Sequence, residues 1–311
     1  MKILVCGSGV IGSLLIHTLL QNNNEVTVLA RGKRREELEK YGLRTKFHGK
    51  KVVNTDRPRV VGEIPAEHFD LAFSVMQHEQ QWKLLKTLGA ADCSAVVLVG
   101  NNLSAPEMKQ QIIEAGGKNV LFGFQGTGGN RYEDYTEVLS LHAPSMVLGG
   151  LGENIPGEIT SIVESTFAGA DYEIKWMDDM DAWYKCHAAF IVPVARLCYT
   201  VGCDLRKSTG KQRKMLFDAT SNAFEALKKS GCAVRPEGED AYYRPGAKRV
   251  LMSAMMNIMC HTKLGDMAAS DHCRHAVSEM EGLAVKMDEI VFNSGVECSA
   301  YKLMKDSAPS W

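Results

Sequence analysis

Short apolar runs alternate with amphipathic stretches through the first half of the chain. Residues 2–6 (KILVC) are apolar and lead into glycine, the pattern of a strand buried on both faces of a parallel sheet. Val10, Ile11, Leu14, Leu15, Ile16, Leu19 and Leu20 then keep helical spacing until the asparagines at 22–24. EVTVLA at 25–30 predicts a second strand, which completes a βαβ unit. Further strands are predicted at DLAFSVM (70–76), AVVLVG (95–100) and NVLFGF (119–124), separated by helical segments such as EQQWKLLKTL and APEMKQQIIEAG. This alternation predicts a doubly wound sheet. LRTKFHGKKVVNTDRPRVVG (43–62) interrupts it and reads as an irregular or hairpin-like insertion. Glycine is dense between 123 and 152, and SMVLGGL and YEIKWM are the last predicted strands.

From Asp178 onward the period changes. WYKCHAAFIVPVARLCYTVG, KMLFDATSNAFEALKKSG, KRVLMSAMMNIMCHT and HAVSEMEGLAVKMDEIVFNSG carry apolar residues at intervals of three and four. The predicted fold is α/β: an N-terminal Rossmann-type doubly wound sheet over 1–176, followed by an all-helical C-terminal domain over 177–311. The length of 311 residues suits two domains. MSAMMNIMC presents a Met-rich helix face, suited to core packing or to packing between subunits of a homodimer.

At the first strand-to-helix junction stands GSGVIG, with Gly7, Gly9 and Gly12 in the GxGxxG pattern. After a buried strand and before an amphipathic helix, this is the context of a dinucleotide fingerprint. Gly7 permits the tight turn, Gly9 lets a pyrophosphate approach the main chain, and Gly12 lets the helix pack on the sheet. The main chain of Ser8, Val10 and Ile11 completes the predicted phosphate site at the helix start. Where an acid would bind the ribose hydroxyl of NAD, the second strand ends instead in Ala30-Arg31-Gly32-Lys33-Arg34. Arg31 presents a planar fork to a 2′-phosphate and Lys33 or Arg34 adds charge, so NADP(H) is the expected cofactor.

Composition narrows the partners. Lys and Arg number 36 against 37 Asp and Glu, a net charge of −1, without the basic excess of a nucleic-acid binder. Nine scattered cysteines lack zinc-like spacing and read as reduced, mostly buried thiols, so no metal is expected. The first strand begins at once, leaving no apolar core for a signal peptide, and no apolar run is long enough to span a membrane. A cytoplasmic, soluble protein is expected. His187, His261, His272 and His275 are candidate catalytic or substrate contacts, although such histidines are more often ordinary surface or core residues.

The GxGxxG start, Arg31, GNN at 100–102 and Lys185 within DAWYKCHAAFIVPVA (181–195) together resemble the ketopantoate reductase family, over nearly the whole chain. The resemblance implies a 2-dehydropantoate 2-reductase activity of pantothenate biosynthesis. Hydride passes from NADPH to the carbonyl of a small 2-oxo acid, and Lys185 donates the proton. Hydride addition creates alkoxide charge that an ammonium stabilises and then neutralises. It also implies that Asn101 helps hold cofactor and substrate, a position beyond a strand's carboxyl end where open sheets bind ligands.

The sequence departs from the family pattern at the substrate. Gln77 replaces a lysine after the fourth strand, and Ala189 replaces an asparagine one turn after Lys185. Ser253 lies one residue from the family's serine, in a segment (252–282) longer than the family's, which puts the family's glutamate at Asp266 or at Ala276. Asn101, Ala189, Ser253 and Asp266 are therefore the substrate-contact candidates. Two alternatives stay open: a non-catalytic NADP(H)-binding sensor whose pocket has lost polar residues, and a related dehydrogenase acting on another carbonyl or an imine.

Overall fold

The computed structural model describes residues 1–117, 119–139, 143–262 and 265–309, apart from the side chain of Ala268. The chain divides into two units, Met1–Gly100 with Ser104–Met180, and Asn101–Leu103 with Asp181–Trp311.

In the first unit, β1 (Lys2–Cys6), α1 (Val10–Gln21) and β2 (Glu25–Leu29) form the expected βαβ start, followed by α2 (Gly32–Tyr41). β3 (Leu43–Phe47), β4 (Val53–Asp56), β5 (Arg59–Val61), β6 (Phe69–Ser74), α3 (His78–Gly89) and β7 (Cys93–Val99) come next. α4 (Ala105–Glu114), β8 (Val120–Gln125), β9 (Gly128–Arg131), β10 (Thr136–Leu139), β11 (Ser145–Gly149), α5 (Gly157–Phe167) and β12 (Glu173–Met177) complete the unit. The main sheet has the order β12-β11-β8-β7-β6-β1-β2-β5. Its pairings are parallel except for β11 against β8. The order reverses between β1 and β6, the switch point at which such sheets bind ligands. Ile3, Leu4, Val5 and Cys6 are all fully buried, as a run apolar on both faces requires.

The segment 43–62 is more ordered than its sequence suggests. β3 and β4 form an antiparallel hairpin, and β5 joins the main sheet beside β2. The hairpin belongs to a second sheet, β4-β3-β10-β9, whose last two strands the apolar pattern does not reveal. GGNR and TEVL are four-residue strands, too short and too polar for periodicity to register. Polar contacts fasten this sheet to α1: His17 Nδ1 lies 2.7 Å from Asp56 Oδ2, and Gln21 Nε2 donates to Asp56 Oδ1 at 3.2 Å.

The second unit is helical, with α6 (Met180–Thr200, which begins at the junction), α7 (Gly210–Lys229), α8 (Ala247–Cys260), α9 (Asp271–His275), α10 (Val277–Asn293) and α11 (Ser299–Ser307). Thr209 caps α7 through a reciprocal pair of bonds with Gln212. α8 buries Met256 and Cys260 but exposes Val250, Leu251, Met255 and Ile258. At the centre, Arg196 is 2% exposed and donates through Nη2 to Asp288 Oδ1 at 2.6 Å, its guanidinium lying 4.8 Å from the Tyr301 ring centroid. Tyr301 donates to the same oxygen at 2.9 Å, and Lys305 reaches Oδ2 at 2.8 Å. Arg196 Nη1 has no hydrogen-bond partner among the described residues, so Asp288 carries the balance of a buried charge. Asp288→Ala is expected to destabilise the helical unit by about 3–5 kcal/mol in urea unfolding, whereas a loss below about 1 kcal/mol would contradict this role.

Candidate active site

The glycine turn explains itself sterically. Gly7 sits at φ +105°, and a Cβ there would lie 2.3 Å from the Val75 carbonyl oxygen beyond β6. A Cβ on Gly12 would lie 2.2 Å from the Gly7 oxygen. Neither position accepts a side chain. Gly9 faces open space: apart from its chain neighbours, no atom of the described residues lies within 4 Å of such an atom. It is also the N-cap of α1 and supplies no side-chain cap, so the first N–H groups of the helix point outward without an intrahelical acceptor. A turn of this kind, next to the switch point, can cradle an anion.

Ser8 is buried within the turn, where its Oγ accepts from Arg34 Nε at 3.0 Å and its carbonyl from Arg34 Nη2 at 2.9 Å. Arg34 thus braces the loop from α2. Burial, and then the charge of Arg131, pull its pKa down, while Glu37 opposes them. Glu37 Oε2 lies 3.3 Å from both Arg34 and Arg131, so the second sheet brings a further cation to the turn. Arg31, extended at the end of β2 and exposed, borders an open groove of about 490 Å³ lined by Ala30, Gly32, Arg35, Gly62 and Glu63. The groove's second cation is Arg35, where the sequence pointed to Lys33 or Arg34.

At the ends of the central strands, the buried amide of Gln81 donates to the Ser74 carbonyl at 2.9 Å and the Val99 carbonyl at 2.8 Å. It ties β6 to β7 immediately before the turn at Gly100, whose φ is +141°. On a helix pattern Gln81 reads only as a polar position, which is why sequence reasoning passes over it. Gln77 precedes α3 and is exposed.

In the helical unit Lys185 Nζ lies 2.5 Å from Asp181 Oδ2 one turn earlier on α6, both side chains being partly exposed. Asn101 donates through Nδ2 to Glu279 Oε1 at 2.7 Å, while its Oδ1 is buried and lacks a hydrogen-bond partner among the described residues. Glu279 was not among the sequence candidates: 178 positions separate it from Asn101, and its one local sign is an acid in the first turn of α10, where the helix dipole favours it. The other substrate candidates make contacts of their own. Asp266 pairs with Arg274 at 2.8 Å, Ser253 is half-buried on α8, and Ala189 is 0% exposed within the helical core. Among the described residues, none of the three hydrogen-bonds to Asn101. Ala276, the other position considered for the acid, is buried just before α10.

Two histidines adjoin this cluster. His272 Nε2 stands 3.4 Å from Glu279 Oε1. Burial works against its charge, but the hydrogen bond and charge of Glu279, with Cys273 and Asp271, raise its pKa above the usual value. His187 stacks on Trp183 at 4.9 Å between centroids, and burial together with the His272 charge pushes it down to about 4. His261 and His275 bond to main-chain carbonyls of their own helical turns. Among the described residues no group of three or more His, Cys, Asp or Glu is placed to hold a metal.

Residues 3–149 match the model of the ketopantoate reductase PanE/ApbA family, in agreement with the resemblance carried by the sequence. No curated protein matches the chain. A solved 2-dehydropantoate 2-reductase from Geobacter metallireducens is 14% identical at a TM-score of 0.72, with 99% of this chain and 98% of that one covered. A probable 2-dehydropantoate 2-reductase from Bacillus subtilis is 15% identical at 0.70, over 99% and 98%. The ternary structure of D-mandelate dehydrogenase with NADH and anilino(oxo)acetate is 17% identical at 0.70, over 99% and 97%. These likenesses show the fold, a Rossmann-type unit followed by a helical one.

The open space at Gly9 and the closed space at Gly12 give opposite expectations. Gly9→Ala should leave stability within about 0.5 kcal/mol while weakening dinucleotide binding at least about tenfold in a fluorescence titration. Gly12→Ala should lower the melting temperature markedly. Equal behaviour of the two variants would contradict the cradle.

Proposed function

We propose, from a nucleotide-binding unit that matches the ketopantoate reductase family, that this protein is an NADPH-dependent reductase of a small 2-oxo acid. The observation that carries the reading is the cradle at the β1–α1 turn: two glycines that nothing can replace enclose one that faces open space at an uncapped helix start. These residues fit a dinucleotide's pyrophosphate. Arg31 and Arg35 in the adjoining groove supply the charge that a 2′-phosphate needs.

When bound, the reduced nicotinamide supplies the hydride. Lys185 donates its proton to the carbonyl oxygen as alkoxide charge develops there, and Asp181 keeps the amine oriented one helical turn away. Asn101 offers its unpartnered Oδ1 to an N–H or O–H donor of the bound molecules, with its amide nitrogen anchored on Glu279. Glu279 takes the place that the sequence offered to Asp266 or Ala276, accepting from a hydroxyl of the substrate. 2-Dehydropantoate, which carries such a hydroxyl, is the narrower form of the proposal.

A second reading is favoured by Glu63, whose presence in the groove with Arg31 suits the ribose hydroxyl of NADH. A cytoplasmic setting accords with nine free thiols and with the lack of any helix long and apolar enough to cross a membrane among the described residues. The proposal includes a homodimer, for which the exposed face of α8 is the available surface; sedimentation of the pure protein as a monomer would remove that part.

NADPH oxidation against a panel of 2-oxo acids tests the reading. Lys185→Ala should lower kcat by about 10²–10⁴-fold with NADPH affinity unchanged, and a variant as fast as wild type would contradict the proton donor. Arg31→Glu should weaken NADPH about 10–100-fold and leave NADH unaffected; equal losses for both nucleotides would contradict the phosphate contact.

A further inference from the structure

The segment between α8 and α10, longer than the family pattern, contributes a charge that the reaction as described does not use. His272 on α9 directs Nε2 to Glu279 Oε1 at 3.4 Å, and that same oxygen accepts from Asn101 Nδ2 at 2.7 Å. One carboxylate oxygen is therefore shared between an imidazole from the lengthened segment and the amide that follows β7. Resting on the function proposed above, we propose that His272 is a positioning residue: its imidazolium fixes the Glu279 carboxylate against Asn101 and so sets the affinity for the substrate's hydroxyl.

The groups facing His272 are Glu279 from α10, His187 from α6, and Asp271 and Cys273 on its own helix. Three of them favour a positive charge. The fourth, His187, is held neutral by a pKa near 4 and does not titrate with it above pH 5. His272 has its pKa raised in the folded protein, so with Glu279 ionised the ion pair is present below pH 6.5 and is lost as pH rises through the raised value. Losing the imidazolium frees the carboxylate without removing Lys185 or the nucleotide cradle. Substrate KM should rise with pH while kcat and nucleotide affinity hold.

Two measurements test this. In the NMR titration of isotopically labelled histidine, assigned with His272→Gln, the wild-type His272 resonance should titrate above 6.5 and fall back toward it in Glu279→Gln. In steady state, the KM for a hydroxylated 2-oxo acid should rise about five- to tenfold through that pKa in wild type. It should be independent of pH and already raised in His272→Gln, with kcat retained. Should no 2-oxo acid be turned over, the functional reading fails, and the titration alone decides the ion pair. A wild-type His272 that titrates at or below 6.5, or that ignores Glu279→Gln, overturns the inference, as does a KM profile shared by wild type and His272→Gln.

Discussion

The close approach of Gly12 to the Gly7 carbonyl is the constraint from which the rest of the site follows. The chain leaves β1 in a left-handed conformation that L side chains rarely adopt, turns against the Val75 carbonyl, and starts α1 with no room for a β-carbon on either flank. That compression brings the ends of β1 and β6 together at the place where the strand order reverses. It also leaves the helix's first N–H groups pointing at unfilled space beside Gly9. The entropy that glycine loses there is offset by a strand core in which Ile3 to Cys6 are fully buried. An anion bound at this turn needs little reorganisation, because the donors are fixed by the fold before it arrives.

Around that turn the second sheet and α2 add charge rather than surface. Arg34 closes on Ser8 from one side, and Arg131 comes from β9 to the same Glu37 carboxylate. Arg31 remains exposed at the strand end. In the helical unit Lys185 is paired with Asp181, and Glu279 with both His272 and Asn101. Among the described residues the Asn101 oxygen is buried and without a partner, and it is the atom proposed to meet a ligand.

Much of this was legible in the sequence where one residue type answers one local demand. Continuous apolar runs placed β1, β2, β6, β7 and β8, because a strand covered on both faces cannot afford polar positions. Gly7 and Gly12 declared the tight turn and the close packing through spacing alone. What the sequence withheld depends on distant partners. β9 and β10 are four-residue strands that exist because β3 and α1 give them an edge and a surface. Glu279 finds Asn101 only after the helices have assembled, and no alignment of motifs around Asp266 or Ala276 predicts that. Arg34 looked like one more cation at the ribose end, yet its reach carries the guanidinium back to the carbonyl of Ser8.

The central claim is hydride transfer from a bound nicotinamide to a 2-oxo acid, and isotope transfer measures it most directly. With NADPH carrying deuterium at its transferable ring position, incubation with the protein and a panel of 2-oxo acids should yield a 2-hydroxy acid one mass unit heavier at its carbinol carbon. Tight nucleotide binding with no deuterium in any product would contradict the account and leave a nucleotide-binding protein without this chemistry.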